Sequence, residues 1–317
     1  MPSSSAVHTF SDPDDYAASL SSRGASVEVT VTKRGGFEAK HIRINLHLLW
    51  MQRCFNNLPQ IAHMTASGRT AICFRTLPGP KLLRNGLEVG FSNIIRGDTD
   101  GEFFCQSDGS VGYGAMSLPT EELASAGAAI AGCDLTPPKN ALSVVPSPLA
   151  LAKLRNLHAA AGQLAEHAPT VIAHPEAARG LQQALIEALV GCLGTGEVGN
   201  DRAALGRHAA IMRRFRIAIE EKLDQALFIP ELCTAIGVSH RTLLACCQEQ
   251  LGMNVKRYLL LRRMHLARRR LRESASTVTT VTEIAARYGF WEFGRFAGEY
   301  KSLFGELPST TLARPSE

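Results

Sequence analysis

Arginine and lysine residues are concentrated in one stretch of the C-terminal half, with no acidic residue among them. Between residues 255 and 272 they are Lys256, Arg257, Arg262, Arg263, Arg268, Arg269, Arg270 and Arg272. Cations without a counter-charge are typical of surfaces that neutralise phosphates, which points to a nucleic acid as the partner. The alternative is that these basic side chains simply form the solvent-exposed face of a helix. Apolar residues recur here at helical spacing, from Leu260 to Leu271, so we expect a helix with one buried face.

The net charge of +5 is distributed unevenly. From residue 207 onward the chain holds 18 basic and 11 acidic residues, whereas the first 206 residues hold 16 basic and 18 acidic ones. Only the C-terminal part is cationic, so the polyanion partner is expected for that part alone.

The cationic stretch lies between two copies of one short pattern. Glu231, Leu232, Ile236, Gly237 and Val238 match residues 52 positions later, and after the turn the offset is 53. Helix, glycine-containing turn and second helix form the unit that places a recognition helix in the DNA major groove. We therefore predict helix-turn-helix units at about 230–251 and 281–304, joined by a linker helix at 254–272.

The first unit has an outward-facing surface at the start of its second helix. Ser239 is expected to cap that helix, and Leu243 and Cys247 are expected to lie on its buried face. The exposed positions near its N-terminal end are the predicted base contacts of this unit. They are His240, Arg241, Leu244 and Ala245.

The second unit carries a more specific pattern. Gly289-Phe290, Phe296, Tyr300-Lys301, Gly305 and Pro308 stand at spacings that resemble the signature of the AraC/XylS family of transcriptional regulators. The similarity extends through the linker helix and the first unit, over about residues 210–312. It implies a seven-helix DNA-binding domain.

The resemblance implies that the start of the second recognition helix also touches DNA. Its positions here are Trp291, Glu292, Phe293, Gly294 and Arg295. Arg241 and Arg295 are the candidates for guanine contacts, because arginine pairs with O6 and N7 in two hydrogen bonds. The residues expected to contact phosphates are Ser239, Lys256, Arg257, Arg262, Arg268, Arg269, Arg270 and Lys301.

Residues 26–118 alternate apolar and polar residues in short runs that are separated by turn formers, such as Asn85-Gly86. This pattern indicates a β-sandwich or a small barrel. Two amphipathic helices follow, the first starting at Ser147-Pro148 and the second at Pro175. The predicted fold class is therefore α+β, with a β-rich, barrel-like N-terminal domain plus helices and an all-α C-terminal domain. The helices at 148–165 and 175–193 either form a homodimer interface or cover the β-domain.

The expected domains are 1–193, a glycine-rich linker at 194–206, and 207–317. By the resemblance, the first domain binds a small-molecule effector or mediates dimerisation. We predict a pocket lined by Trp50, Phe74 and Phe91; the alternative is that these residues are ordinary core. The expected partners are double-stranded DNA, an effector and RNA polymerase.

Catalytic patterns are weak in the N-terminal half. His41, His47 and His63 lack the spacing of a metal site, and Cys54 is a remote candidate for a reactive thiol. We expect no enzyme activity, no metal and no cofactor. The alternatives are a DNA-tethered enzyme with a metal- or cysteine-dependent first domain, and a DNA-binding protein without an effector.

No apolar run is long enough to span a bilayer and no signal peptide is apparent, so a cytoplasmic location without membrane contact is expected.

Overall fold

The computed structural model describes residues 3–21, 25–66, 68–98, 101–198, 202–222, 227–274 and 279–314. Within these residues the N-terminal half forms two antiparallel sheets. The first has eight strands, in the spatial order β1 (Ser4–Phe10), β3 (Ala39–Asn45), β4 (Trp50–Asn56), β11 (Val111–Pro119), β6 (Arg69–Arg75), β9 (Ile94–Arg96), β12 (Leu142–Val145) and β13 (Glu197–Val198). The second has five, in the order β2 (Ala25–Val31), β5 (Gln60–Ala66), β10 (Glu102–Ser107), β7 (Leu82–Arg84) and β8 (Leu87–Glu88).

The turn at Asn85-Gly86 shows how local sequence sets this topology. Both residues have positive φ, 48° and 79°, and they join two strands in which Leu83 pairs with Glu88. A two-residue hairpin turn of this hand needs positive φ at both positions, which Asn and Gly tolerate. The predicted turn is therefore confirmed.

Five helices accompany the sheets: α1 (Pro13–Leu20), α2 (Thr120–Ala131), α3 (Pro148–His167), α4 (Pro169–Ala173) and α5 (Pro175–Thr195). Ser147 Oγ caps α3 by accepting from the amide of Ala150 at 3.3 Å, as the sequence predicts. Leu154 of α3 and Leu189 of α5 are fully buried in one core with Phe74 of the large sheet. These two helices thus cover the large sheet, which was one of the two alternatives; the homodimer stays a prediction.

The C-terminal part contains seven helices among the described residues: α6 (Arg202–Glu220), α7 (Ile229–Ile236), α8 (His240–Leu251), α9 (Val255–Glu273), α10 (Val281–Arg287), α11 (Phe293–Phe304) and α12 (Pro308–Leu312). The α+β class is confirmed, and the sheets remain open rather than closing into a barrel. None of the described helices is long and apolar enough to cross a membrane.

The predicted linker at 194–206 has more regular structure than its composition suggests. It contains the end of α5, the strand β13 and the first turn of α6, while residues 199–201 lie outside the described part. Val198 pairs with Val144 of β12, so this segment is attached to the large sheet. The glycines indicated a linker between the two domains. Pairing of this segment with a distant strand cannot be seen in its local composition.

Two separate cores support the seven helices. The first joins α6–α9 and includes Phe215, Leu243 and Tyr258 together with Ile61 and Phe104 of the small sheet. The second is built around Phe296 and Tyr300 of α11 with α9, α10 and α12. Among the described residues, the first helix-turn-helix unit therefore shares its core with the N-terminal domain, and the second does not.

Candidate nucleic-acid interface

The turn of the first unit is fixed by Gly237. Its φ of 67° lies in the left-handed region, where an L side chain is disfavoured, and the amide of Val238 donates to Cys233 O at 3.1 Å. Ser239 Oγ then accepts from the amide of Thr242 at 3.2 Å and caps α8. A helix ended by glycine and a second one begun by serine give the sharp change of direction that this unit needs.

Helix α8 turns one face into the core and leaves its N-terminal end in solvent. Leu243 and Cys247 are fully buried, as predicted. His240, Arg241 and Ala245 are exposed, whereas the fourth predicted base contact, Leu244, is only partly exposed and packs against the core. The exposed tip therefore offers one imidazole and one guanidinium to a ligand.

A different capping motif stabilises the start of the second unit. Thr280 and Glu283 form a capping box at the start of α10: Thr280 Oγ1 accepts from the amide of Glu283 at 3.2 Å, and the amide of Thr280 donates to Glu283 Oε2 at 2.7 Å. This reciprocal pairing satisfies two amide donors at the helix start. Gly289, with φ at 75°, then turns the chain toward α11.

All five predicted base contacts of the second unit are exposed. Trp291 is 80% exposed and Phe293 is 41% exposed, although both are large apolar side chains. Phe296 and Tyr300 on the opposite side of α11 are buried. Two solvent-exposed aromatic side chains at the start of α11 can pack on thymine methyl groups in the major groove.

Arg295 is exposed but already has partners within its own helix. Its Nε donates to Glu299 Oε1 at 2.9 Å, and its Nη1 lies 3.4 Å from Glu292 Oε2. These hydrogen bonds and charges raise the pKa of Arg295 above its ordinary value. These contacts use Nε and one N–H of Nη1, so the guanidinium keeps further N–H donors for a guanine.

The predicted phosphate contacts fall into two groups. The first group is exposed and consists of Ser239, Lys256, Arg257, Arg270 and Lys301. The second group faces the N-terminal domain and consists of Arg262, Arg268 and Arg269. Arg262 is only 2% exposed, with its Nε 3.8 Å from Glu28 Oε1 of β2. In this arrangement Arg262 is not accessible to a phosphate, whereas Arg269, with 36% of its side chain exposed, is already paired with Asp14.

An acidic segment at the start of α1 pairs with the arginines of α9. Arg268 binds both Asp12 and Asp14, the latter through Nη1 to Oδ2 at 3.1 Å. Arg272 binds Asp12 at 2.6 Å and approaches Asp15 Oδ1 at 3.4 Å. These aspartates were not singled out from the sequence, although three of them fall within four residues; only the fold brings them to α9.

The environment of Asp12 shows that this pairing favours the charged forms. Burial by itself raises the pKa of Asp12, but the hydrogen bond and charge of Arg268, together with the charge of Arg272, outweigh burial and lower it. Burial likewise lowers the pKa of Arg268, and the hydrogen bond and charge of Asp12 more than reverse that shift. Both groups are therefore ionised at neutral pH.

Further polar contacts join the two halves. His265 of α9 is fully buried and its Nε2 lies 3.0 Å from Val31 O, while Arg216 of α6 donates from Nη1 to Glu102 O at 3.0 Å. A cleft of about 1300 Å³ lies beside the contact of His265 with Val31, between α1 and residues of α9 and α11. Charged side chains and the apolar Phe37 and Phe304 line it.

The predicted pocket residues do not meet around this cleft. Phe74 is fully buried against His158, Trp50 lies under Arg69, and half-exposed Phe91 lies under Arg155. A second cavity, of about 20 Å³, lies in the N-terminal domain and is lined by other residues, including Gln60. That volume is enough for about one water molecule. The pocket of Trp50, Phe74 and Phe91 remains a prediction.

The histidine and cysteine candidates are mostly in buried surroundings. Burial lowers the pKa of His41 and of His63 to about 4 each, so both are neutral at pH 7. His63 Nδ1 lies 3.4 Å from Glu220 Oε1, but burial and two nearby arginines outweigh that carboxylate. Burial raises the pKa of the Cys54 thiol to about 12, which disfavours the thiolate needed for nucleophilic chemistry.

Comparison with known proteins identifies the C-terminal region. A family model described as a helix-turn-helix domain matches residues 232–314. Over 96 residues the chain is 40% identical to XylDLEGF operon transcriptional activator 3 of Pseudomonas putida, covering 30% of this chain and 29% of that protein. Over 94 residues it is 42% identical to a probable thc operon regulatory protein of Rhodococcus erythropolis, covering 30% of this chain and 28% of that protein.

A solved structure, that of the AraC-like transcriptional activator CuxR, is 14% identical with a TM-score of 0.41, covering 89% of this chain and 100% of that one. By contrast, the chain aligns with less than a third of the length of the two curated relatives named above. The resemblance inferred from residues 210–312 is confirmed: the C-terminal region carries an AraC/XylS-type double helix-turn-helix domain.

Proposed function

We propose that the protein is a sequence-specific DNA-binding transcriptional regulator, and an activator in particular, that reads two major-groove segments with α8 and α11. The observation that carries this proposal is that each recognition helix has a buried framework and an exposed N-terminal end. The exposed groups differ: His240 and Arg241 on α8, and Trp291 and Phe293 on α11. The two segments should therefore differ in sequence, which makes the binding site asymmetric.

Selection of duplexes from a randomised library by the full chain tests this proposal. We expect enrichment of two unlike motifs whose centres are about one helical turn apart, since paired recognition helices dock about 34 Å apart. Arg241→Ala should weaken the preference in one motif and Trp291→Ala in the other. Ile130→Ala, at a 43% exposed position on α2 outside the proposed dimer helices, serves as the control. Failure of the library to enrich any sequence would refute the proposal.

Control by a small-molecule effector is part of the same proposal. The support is the family resemblance of the C-terminal region and the presence of a separate β-rich domain that contacts it. A thermal-shift screen of small molecules against the full chain tests this part. A compound that raises the melting temperature and changes DNA affinity supports it, and a broad screen without any such compound favours the effector-free alternative.

The remaining elements are contact with RNA polymerase, a homodimer through residues 148–165 and 175–193, a cytoplasmic location and the lack of enzyme activity. The names of the curated relatives describe a transcriptional activator and an operon regulator, which supports the first of these. Leu149 of α3 and Val171 of α4, which lies between the two helices, are exposed and leave apolar surface for a second copy. Transcription with purified polymerase and sedimentation analysis of the full chain test these two elements.

A further inference from the structure

Helix α9 carries its cations on two opposite sides. Positions 262, 265, 269 and 272 are spaced by three or four residues and so lie along one face of a helix. This face, with Arg268 at its border, is turned toward the N-terminal domain. Lys256 and Arg270 lie on the other side and are exposed. The helix thus has an open cationic face and a second face, called the covered face, whose arginines are paired with carboxylates of the N-terminal domain; Arg269 and Arg272 on it keep 36% and 37% of their side chains exposed.

The covered face is filled by carboxylates. Asp12, Asp14 and Asp15 of the α1 region bind Arg268, Arg269 and Arg272 in a network, and Glu28 lies beside Arg262. Asp12 and Asp14 have only 16% and 12% of their side chains exposed, and Arg268 has 11%. Buried charges of this kind require a partner at all times, because an unpaired buried charge is costly. When α1 leaves, another anion must take its place or the arginines must become hydrated.

The geometry suits phosphate as that other anion. Asp12 and Asp14 each present both carboxylate oxygens to guanidinium groups, Asp15 presents one, and Arg268 spans two carboxylates. Arginine makes the same kind of charge-assisted, two-pronged hydrogen bonds to phosphate oxygens. The arginines run for about 15 Å along the helix axis, at a rise of about 1.5 Å per residue, so they form an extended rather than a point-like site.

We propose that the covered face of α9 is a second phosphate-binding surface and that the acidic segment Asp12–Asp15 occupies it in competition with the DNA backbone. The inference rests on the proposed function, because it concerns the same domain and the same ligand. While the aspartates are in place, Arg268, Arg269 and Arg272 are already paired, so the open face supplies the phosphate contacts. When the acidic segment is displaced, the arginines of the covered face can make additional contacts with DNA phosphates. Docking of the N-terminal domain removes these contacts and so lowers DNA affinity without any change in the contacts to bases.

Binding of the full chain to a random-sequence duplex of about 30 base pairs, between 50 and 200 mM salt, tests the competition. The test variant is Asp12→Asn/Asp14→Asn/Asp15→Asn. Asparagine at position 12 still caps α1, where Asp12 Oδ1 now accepts from the amide of Asp14 at 2.8 Å. The matched control, Glu121→Gln/Glu122→Gln/Glu176→Gln, removes three exposed carboxylates from α2 and α5.

We expect the aspartate variant to bind roughly tenfold more tightly than the control at the lowest salt, and the slope of log K against log salt to steepen by about two, since each phosphate contact adds about 0.9 to it. If both variants bind equally well, the inference is wrong and the proposed function stands. If none of the proteins binds duplex DNA, the proposed function fails and the inference fails with it.

Hydrogen exchange of the unmodified chain gives a second measurement that does not depend on the folding of a variant. Saturation with duplex DNA should speed the exchange of the amides of α1, because the segment is displaced, and should leave those of α2 unchanged. Unchanged exchange in α1 at saturation would overturn the competition.

Discussion

Arg295 and Glu299 lie one turn apart on α11, and the guanidinium Nε donates to Glu299 Oε1 at 2.9 Å. Glu292 contacts the same guanidinium from the preceding turn. All three side chains are at least partly exposed, and exposed pairs of this kind contribute little to stability. We expect them to act on DNA binding instead, because the two carboxylates hold part of the guanidinium that is predicted to contact a base.

Arg295→Ala should weaken binding to the selected DNA at least tenfold more than binding to random DNA, because a guanidinium that contacts a guanine discriminates between bases. Glu299→Gln should leave binding to the selected site unchanged or tighten it, because one competing charge is removed. Competition binding with the two duplexes measures both. An equal loss on selected and random DNA for Arg295→Ala would exclude a base-reading role.

Arg269 and Arg270 are neighbours with different surroundings, and their substitutions should differ accordingly. Arg270 is on the open side, so Arg270→Ala should lower the salt slope by about one. Arg269 binds Asp14, so Arg269→Ala should have a smaller effect in the unmodified chain. In the Asp12→Asn/Asp14→Asn/Asp15→Asn background the two substitutions should become equal. Slopes that differ as much in that background as in the unmodified chain would contradict the difference assigned to Asp14.

His158 should make the protein less stable at acid pH. Its Nε2 lies 3.0 Å from Gln52 O and its Nδ1 lies 3.4 Å from Arg53 Nη1, so the neutral ring with its proton on Nε2 suits the site. Burial, followed by the charge of Arg53, lowers its pKa from 6.5 to about 3. Below pH 6.5 the unfolded chain binds the proton and the folded chain does not, so stability is lost as pH falls from 6.5 toward 3.

By pH 5 this loss amounts to about 2 kcal/mol for one histidine. His158→Gln removes the titrating group, so its free energy of unfolding should fall less between pH 7.5 and 5 than that of the unmodified chain. Urea unfolding at the two pH values measures the difference, and other buried histidines contribute equally to both proteins. The same pH dependence in both would show that His158 does not titrate as its site implies.

Two glycine-to-alanine substitutions should have opposite signs. At Gly237, where φ is +67°, alanine is strained and should lower stability by about 1 kcal/mol. At Gly180 in α5 an added Cβ meets nothing within 4 Å, and alanine should stabilise by about 0.5 kcal/mol because it restricts the unfolded chain. Thermal unfolding of the two variants gives the comparison. Stabilisation at Gly237 would contradict the turn geometry.

The helix-turn-helix units could be predicted from sequence because their signals are local. Gly237 permits the turn, Ser239 caps the next helix, and the spacing of Phe296 and Tyr300 fixes the buried side of α11. The linker helix was predicted at 254–272 and extends over Val255–Glu273, with Asn254 as its cap. Each of these features depends on residues fewer than ten positions apart.

The accessibility of the arginines could not be predicted in the same way. Asp12 and Arg268 are 256 residues apart, and nothing in either segment indicates the other. Trp50, Phe74 and Phe91 were grouped by residue type, but strand register and loop placement give each a different neighbour. Helices α1 and α2 were also not anticipated from the sequence, although Tyr16 and Leu20 of α1 lie one turn apart on its buried side.

The core that joins Phe104 of the small sheet to Phe215 and Tyr258 has a consequence for cooperativity. The β-domain and the first helix-turn-helix unit should unfold as one block, whereas the second unit, with its own core around Phe296, can open independently. A chain that begins at residue 202 would leave the apolar surface under Ile61 and Phe104 uncovered in the first unit and intact only in the second. The two helix-turn-helix units thus differ in whether they can unfold without the β-domain. Because α9 contributes to both cores, a change in the sheets would reach the second unit through this helix.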